Sequence, residues 1–214
     1  MTWVGAALPR KEDARLVTGR GGYVDDLSRP GLVHAAMLRS PHPHARIVSV
    51  DTGAASSAPG VFAVLTGAEA ARTSGPIRPL IPTPVPIRDY CLAVDRVRFV
   101  GEPVAAVAAV DRATAEDALE RIAVEYDPLD AVVDPEVALK PGAPLLDPEL
   151  GTNVLWHDTF TYGDVDGAFA HADGVLSERF EIQRYASTPL ETFGCVVEHD
   201  AGTDAYTFWT NDQR

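Results

Sequence analysis

The histidines of this sequence are candidate ligands for a metal ion. His42 and His44 alternate with prolines, and a metal ion bound there would need further ligands from other parts of the chain. The other histidines lack the spacing of a ligand set, and no H-E-x-x-H, C-x-x-C or G-x-S-x-G motif occurs. The pattern favours a turn with two partly exposed imidazoles, so the sequence predicts no metal ligands.

Two glutamates could form an acid–base pair, because a carboxylate in a pocket can be tuned towards a neutral pKa. Glu102 and Glu191 both stand beside chain-bending residues. Nothing in their spacing brings them together, and solvated or backbone-capping carboxylates are the simpler interpretation. The sequence therefore predicts no catalytic residue.

Two loops carry groups that could hold a ligand. Gly19-Arg20-Gly21-Gly22 has the glycine content of a phosphate loop, but it has neither the G-x-G-x-x-G spacing nor a following GK[ST], so a flexible turn is favoured. Gln213 lies in the polar run Thr210-Asn211-Asp212-Gln213. Its amide offers both a donor and an acceptor, which suits the edge of a heterocyclic ring such as a pterin. An ordinary surface loop is the alternative.

Composition limits the class of partner. The chain has 18 Lys and Arg against 31 Asp and Glu, a formal net charge of -13, so it carries no general basic field for nucleic acid or anionic lipid. Cys91 and Cys195 lie far apart, which fits a reducing cytosol. No stretch has the length of a membrane span or the pattern of a signal peptide. We expect a cytoplasmic protein with neither nucleic acid nor membrane as partner.

The elements that must position these residues fall into two groups. In the first, the hydrophobic pattern predicts strands over 32–38, 45–50, 61–65 and 122–126. Capping residues and apolar spacing predict helices over 53–58 and 111–121. The apolar run 97–110 is broken by Gly101 and Pro103, which predicts a bend followed by a buried strand. The proline-rich stretch 73–87 should be irregular.

A second group of elements follows residues 134–151, a stretch with several prolines that we interpret as a linker. Strands are predicted over 153–162 and 174–185, with a short helix over 163–173. The segments 194–199 and 205–210 should form a β-hairpin. So few elements make a marginal core, and this group needs more chain or a partner to cover its faces.

Taken in order, several segments resemble the large subunit of the family that includes xanthine dehydrogenase, aldehyde oxidase and aerobic carbon monoxide dehydrogenase. Pro9–Gly19 with Tyr23–Leu27, then Arg39–Ile47 and Val100–Val107, are similar to segments of the family's α/β hammerhead domain. Pro189–Cys195 and Phe208–Gln213 are similar to its first cofactor-binding domain. Asn211-Asp212 departs from the small hydroxyl residues that the family more often has there.

The resemblance implies an α+β fold, with an α/β hammerhead domain followed by the incomplete start of a molybdopterin-binding domain. It suggests an N-terminal arm over 1–18, the hammerhead domain over 19–127, a linker over 128–152 and the cofactor-binding segment over 153–214. It also implies that Gln213 touches a Mo-molybdopterin, for which the cytosine dinucleotide form is one option.

The resemblance also implies an enzyme, a molybdopterin-dependent oxidoreductase that hydroxylates aldehydes or N-heterocycles. The family's glycine-rich segment and catalytic glutamate have no counterpart here, so we expect the isolated chain to be catalytically incomplete. The expected partners are the remainder of the molybdopterin-binding subunit, an iron–sulfur small subunit with [2Fe-2S] clusters and an FAD medium subunit. The alternative is a non-catalytic binding or assembly module that keeps the hammerhead fold.

Overall fold

Short strands and helices alternate along the chain in the computed structural model, which describes residues 3–79, 83, 87–183, 185–186 and 188–212. The strands are β1 (His34–Arg39), β2 (Ala45–Asp51), β3 (Val61–Thr66), β4 (Arg96–Val97), β5 (Pro103–Ala109), β6 (Ala123–Pro128), β7 (Cys195–Asp200) and β8 (Ala205–Thr210). The helices are α1 (Asp13–Leu16), α2 (Gly53–Ser56), α3 (Gly67–Thr73), α4 (Arg112–Leu119), α5 (Pro135–Ala138) and α6 (Val165–Ala170).

The described chain divides into two compact units. One consists of Gly31–Ala170, and the other joins Met1–Pro30 to His171–Arg214. The predicted domain boundaries at residues 18, 127 and 152 follow a different division, and they stay predictions. None of the described helices has the length and apolar character that crossing a membrane requires.

The Gly31–Ala170 unit contains two antiparallel three-stranded sheets, in the orders β1-β5-β3 and β4-β2-β6. In the first, Ala36 of β1 and Val64 of β3 both lie opposite Val107 of β5. In the second, Val50 of β2 lies opposite Val124 of β6. A central strand has a neighbour on both sides, and most of β5 is buried, as its continuous apolar sequence predicts.

The core of this unit is built largely from small side chains. One buried cluster joins Ala55 of α2, Ala105 and Val107 of β5, and Ala118 of α4. The other joins Ala45, Val97 and Val104 with Ala93. The buried hydrophobic side chains of the described residues all lie between Ala45 and Ile122, so the other compact unit contributes none of them.

Local sequence signals explain where the helices begin. The Asp111 side chain accepts a hydrogen bond from the Thr114 N–H at 2.7 Å and starts α4 as predicted. Helix α3 was not predicted, although Thr66 and Glu69 form a reciprocal capping box, which is a recognisable start signal. Gly67 opens α3 beside the backbone of Ala93, where an added Cβ would lie 1.9 Å from the carbonyl oxygen.

The structure confirms the predicted strands of the first group, the bend before β5, the helix at α6 and the β7–β8 hairpin. Within the predicted linker, Asp134 and Asp147 cap short helical turns that were not predicted, α5 and a 3-10 turn over Pro148–Leu150. In the predicted irregular stretch 73–87, α3 ends at Thr73, and residues 80–82 and 84–86 lie outside the described residues.

Two predicted strands were wrong. The described residues of 153–162 and 174–185 form no strand, Arg184 lying outside them. Leu176, Phe180 and Ile182 keep the alternation of a strand, but their side chains are 85%, 86% and 83% exposed. A strand needs a neighbour to pair its backbone groups, and alternation alone does not supply one.

Candidate functional site

The polar side chains singled out from the sequence lie in different parts of the structure. Glu102, His42 and His44 belong to the Gly31–Ala170 unit, whereas Glu191 belongs to the other. Each glutamate has its own main-chain partner, the N–H of Arg98 for Glu102 and the N–H of Val24 for Glu191. Both therefore act as backbone-capping carboxylates, which confirms the simpler interpretation.

Glu102 lies in the Gly31–Ala170 unit, and its carboxylate is buried. Its side chain accepts a short hydrogen bond from the Arg98 N–H, and the Arg98 guanidinium lies 3.8 Å from its other oxygen. The same guanidinium lies 3.3 Å from Asp147. Burial raises the pKa of Glu102, while the Arg98 N–H and the Arg98 charge oppose that shift. This arrangement holds the bend before β5 and gives a structural reason for the buried charge.

The prediction of two partly exposed imidazoles holds for one of the two histidines. His42 is half-buried, and its ring centroid lies 4.9 Å from that of Tyr126. His44 is buried. Its carbonyl oxygen accepts from the Leu129 N–H, which extends the β2–β6 pairing by one residue. Its Nδ1 lies 2.8 Å from the Asp130 carbonyl oxygen, and its Nε2 has no hydrogen-bond partner among the described residues. The prediction is wrong for His44.

The glycine-rich segment follows a short helix rather than a strand, so it lacks the setting of a phosphate loop. Gly19, which comes shortly after α1, adopts a left-handed φ of +68°. The Arg20 N–H donates to the Arg15 carbonyl oxygen at 2.8 Å, and its guanidinium donates to Thr18 Oγ1 at 3.1 Å. These bonds close a turn, as predicted.

The open end of the β7–β8 hairpin is the place where a ligand-binding residue was predicted. Gln213 lies outside the described residues, but the chain leading to it is described as far as Asp212. The Asn211 side chain accepts from the Gly194 N–H at 3.1 Å and donates to the Thr192 carbonyl oxygen at 2.8 Å. The residues before β7 and after β8 are thus tied together by one amide.

The N-terminal segment packs on this hairpin. The Val24 N–H donates to Glu191 Oε1 at 2.8 Å. Arg29 lies over the Trp209 ring, 4.7 Å from its centroid, and its Nε is 3.7 Å from Glu198. Trp209 and Glu198 lie on the same face of the hairpin, because Trp209 pairs with Val196 and Glu198 follows Val196 by two residues. One face is therefore in contact with the N-terminal segment.

The opposite face of the hairpin carries exposed apolar and aromatic side chains. Val197 and Phe208 lie opposite each other there, 49% and 61% exposed, and the Tyr206 ring stacks on His199 at 4.5 Å. Among the described residues, no three His, Cys, Asp or Glu side chains form a group that could hold a metal ion. The described polar groups at the open end of the hairpin are the Asn211 amide, the Thr210 hydroxyl and main-chain groups, and they bond to one another. Groups of these types are the donors and acceptors that the edge of an organic ring such as a pterin requires, and they are not metal ligands.

Sequence reasoning did not assign roles to Asn211, Arg29 or Trp209. Asn211 was noted only as a departure from the hydroxyl residues of similar proteins. Its bridging role could have been suspected from an amide that stands directly after a strand. The Arg29–Trp209 contact joins residues that are distant in sequence, and no local pattern signals it.

Comparison with known protein families gives two matches that follow each other along the chain. Residues 18–130 match the α/β hammerhead domain of aldehyde oxidase and xanthine dehydrogenase. Residues 146–214 match the molybdopterin cofactor-binding domain. The order of the two matches is the one that the sequence motifs predicted.

Individual relatives agree with these matches. The chain is 38% identical to the nicotine 6-hydroxylase large subunit of Paenarthrobacter nicotinovorans, over 98% of this chain and 26% of that protein. It is also 38% identical to the carbon monoxide dehydrogenase large chain of Afipia carboxidovorans, over 96% of this chain and 27% of that protein. The chain thus spans about a quarter of the length of these relatives.

Solved structures give the same result. Quinoline 2-oxidoreductase from Pseudomonas putida 86 superposes with a TM-score of 0.86 at 39% sequence identity, covering 98% of this chain and 27% of that chain. The aldehyde oxidoreductase from Desulfovibrio gigas superposes with a TM-score of 0.79 at 26% identity, over 94% of this chain and 23% of that chain. The chain therefore belongs to the aldehyde oxidase and xanthine dehydrogenase family of molybdenum hydroxylases and carries the hammerhead domain and the first part of the molybdopterin cofactor-binding domain of the large subunit.

Proposed function

We propose that this chain serves as the N-terminal part of a molybdopterin-dependent hydroxylase large subunit and contributes one wall of the cofactor site. The observation that carries the proposal is the succession of the two family matches, the second of which includes the β7–β8 hairpin and Gln213. When bound, the molybdenum cofactor supplies the oxidation–reduction chemistry by which the family hydroxylates aldehydes or N-heterocycles.

Gln213 is the proposed cofactor-binding residue of this chain. Its amide can donate one hydrogen bond and accept another at the edge of the pterin ring. The Asn211 amide is engaged with Thr192 and Gly194, so we do not propose it as a ligand contact. Gln213 is the next amide residue along the sequence, and it lies within the match to the molybdopterin cofactor-binding domain.

The wider assembly follows from the family. We propose that the remainder of the molybdopterin-binding subunit completes the site and that separate small and medium subunits carry [2Fe-2S] clusters and FAD. The names of relatives support this, since they include a large subunit, a large chain and a subunit gamma of a dehydrogenase complex. The cytosine dinucleotide form of the cofactor and a cytoplasmic location complete the proposal.

The domain boundaries are part of the proposal. We propose residues 19–127 as the hammerhead domain and 153–214 as the cofactor-binding segment, joined by the linker 128–152 and preceded by an N-terminal arm over 1–18. The first family match supports a hammerhead domain of this extent, since it covers residues 18–130. The second match supports the position of the cofactor-binding segment, since it covers residues 146–214.

The test is metal and cofactor analysis of the complete polypeptide that contains these residues, expressed with its partners in a host that makes the molybdenum cofactor. Stoichiometric molybdenum, together with dye reduction by an aldehyde or an N-heterocycle, is the expected result. A pure complex without molybdenum that still holds the iron–sulfur and flavin subunits would contradict the proposal and favour the assembly module. The 214-residue chain by itself is the control and should bind no stoichiometric cofactor, since one contact cannot offset the cost of ordering so large a ligand.

A further inference from the structure

The three-stranded sheet β1-β5-β3 is apolar on both of its faces. On one face, Leu38, Val64 and Val107 pack with Ala118 of α4 in a buried cluster. The residues that alternate with them along each strand point to the opposite face. An antiparallel sheet with one face in solvent normally carries polar side chains on that face. In this sheet the opposite face is apolar instead.

Two rows of side chains cross this opposite face, with one residue from each strand in a row. In one row, Ala106 of the central strand β5 lies between Met37 of β1 and Leu65 of β3. The other row consists of three alanines, Ala35, Ala108 and Ala63. We call these six residues the outer face. None of the six has a charged or hydrogen-bonding side chain.

The outer face is open to solvent in this chain. Met37 is 44% exposed and Leu65 is 39% exposed, and Ala106 between them is half-buried. Phe62, near the start of β3, and Val110, directly after β5, are also exposed, by 67% and 51%. Contiguous exposed apolar surface marks a site of interaction. The small alanines of the central strand let another layer approach β5 closely, with a larger side chain on each side.

We propose that the outer face packs against an uncharged, apolar surface in the remainder of the large subunit. The inference rests on the proposed function, in which this chain is the N-terminal part of that subunit. The chain spans 26% of one relative and 27% of another, so most of the length of such a subunit is available to cover the face. Permanent contacts resemble the core of a domain in being apolar and depleted in charge, as this face is.

Charge and tethering favour this occupant over two others. The chain carries a formal net charge of -13, so two copies repel each other as they approach. A separate partner subunit would have to compete with a surface that belongs to the same polypeptide. Such a surface meets the outer face at a high effective concentration.

Met37 is a chemical reporter of the outer face, because peroxide converts an accessible methionine to its sulfoxide. Mass spectrometry gives the oxidation rate of Met37 in three samples. These are the 214-residue chain at several concentrations, the complete large subunit alone, and the subunit assembled with its partners. We expect Met37 to react severalfold more slowly in the complete subunit alone than in the 214-residue chain, with no further protection on assembly.

Leu65→Glu tests the same contact by placing a charge in the row of Met37. Leu65 is partly exposed, so the thermal midpoint of the 214-residue chain should change little. In the complete subunit the charge would be buried without a partner, so Met37 should again react about as fast as it does in the 214-residue chain. Val48→Glu is the matched control, because Val48 is 57% exposed on β2 of the other sheet. It should leave Met37 protected.

Equal oxidation rates of Met37 in the 214-residue chain and in the complete subunit alone would overturn the inference. Protection that appears only on assembly would assign the face to a partner subunit, and protection that grows with the concentration of the 214-residue chain would assign it to a second copy. Equal loss of protection in Leu65→Glu and Val48→Glu would contradict it as well. Molybdenum content is measured separately, and a wild-type complex without molybdenum overturns the proposed function whatever the rate at Met37.

Discussion

At the scale of single residues, the structure separates side chains that hold the backbone from the one proposed to hold a ligand. Glu102 and Glu191 both accept main-chain N–H groups, at the bend before β5 and at the N-terminal segment. Asn211 does the same at the hairpin end. The two glutamates considered as an acid–base pair therefore bond to main-chain N–H groups instead. Gln213 remains the proposed contact of this chain with the cofactor.

Gln213→Ala is expected to weaken cofactor binding in the assembled enzyme without affecting folding. The loss of one neutral hydrogen bond is worth about 0.5–1.5 kcal/mol, and the loss is larger if its partner is left buried. Gln213→Glu should be worse, because a carboxylate loses the donor and adds negative charge beside a phosphate-bearing ligand. Molybdenum content and the thermal midpoint check this, and equal molybdenum in all three proteins would return Gln213 to the surface-loop alternative.

Glu102 should make the folded protein relatively more stable as pH falls. Its pKa is raised by burial above the ordinary value of 4.5, so the folded state binds the proton more tightly than the unfolded state over the window above 4.5. The penalty of the buried charge is present at neutral pH and is relieved as pH falls through the folded pKa. Thermal midpoints of the wild type and Glu102→Gln, measured from neutral pH down to the ordinary glutamate pKa of 4.5, should shift in favour of the wild type as pH falls.

Glu69 provides a control of opposite sign. The Thr66 N–H and hydroxyl lower its pKa below 4.5, so its contribution is present above that value and is lost as pH falls through the folded pKa. Glu69→Gln should therefore approach the wild type in stability only at acid pH. If the wild type lost its stability advantage over both variants as pH fell, the pKa of Glu102 would not be raised by burial.

At the scale of elements, the Gly31–Ala170 unit depends on the close approach of backbone segments. Gly67 begins α3 directly against the Ala93 carbonyl group, and the buried clusters around β5 consist mainly of alanine and valine. Small side chains let the sheets and helices come close together, and a well-packed interior has little room for an added methyl group. The hairpin, in contrast, is held by a few polar and aromatic contacts.

Gly67→Ala should lower the free energy of unfolding by about 1–3 kcal/mol, because the new methyl group would overlap a backbone carbonyl that cannot easily move. Gly75→Ala is the matched control, since an added Cβ there meets nothing within 4 Å. Chemical denaturation of both variants checks the expectation. Gly→Ala at an unstrained, open position slightly stabilises a protein by restricting its unfolded chain, so a loss of similar size at Gly75 would show that the effect does not come from the contact with Ala93.

Arg29→Ala should loosen the hairpin by about 0.5–1 kcal/mol, the usual size of an exposed cation–π contact. Arg46→Ala is the matched control, because Arg46 lies 3.7 Å from Asp127 in a similarly exposed ion pair. Protection of the β7 and β8 amide hydrogens against exchange is the measurement. If both variants leave that protection unchanged, the Arg29–Trp209 contact contributes nothing to the hairpin.

At the scale of the whole molecule, buried apolar side chains are unevenly distributed along the chain. The buried hydrophobic side chains among the described residues lie between Ala45 and Ile122, whereas Phe180, Ile182 and Leu190 are each more than 80% exposed. Among the described residues of 174–185 no strand pairs this alternating segment, and its large apolar side chains are exposed. The chain spans about a quarter of the length of its relatives.

Limited proteolysis of the 214-residue chain should therefore cut first between residues 171 and 190. Regions with few buried apolar contacts open at low free-energy cost, whereas the two-sheet core around β5 should open only with global unfolding. Mass spectrometry of the early fragments identifies the sites. Early cleavage within β5 or α4, with 171–190 intact, would show that the core does not confer the stability that its burial predicts.

Although it did not predict α3 and α5, the sequence by itself determined the main strands and the helices α2, α4 and α6 of the Gly31–Ala170 unit, the β7–β8 hairpin and the family. These depend on side-chain periodicity, on caps such as Asp111 and on ordered motifs, all of which can be read locally. Tertiary structure decided the burial of His44, the lack of a strand among the described residues of 174–185 and the packing of Arg29 on Trp209. These depend on which distant segments meet, and a local pattern states what a segment can bury or pair but not which partner it finds.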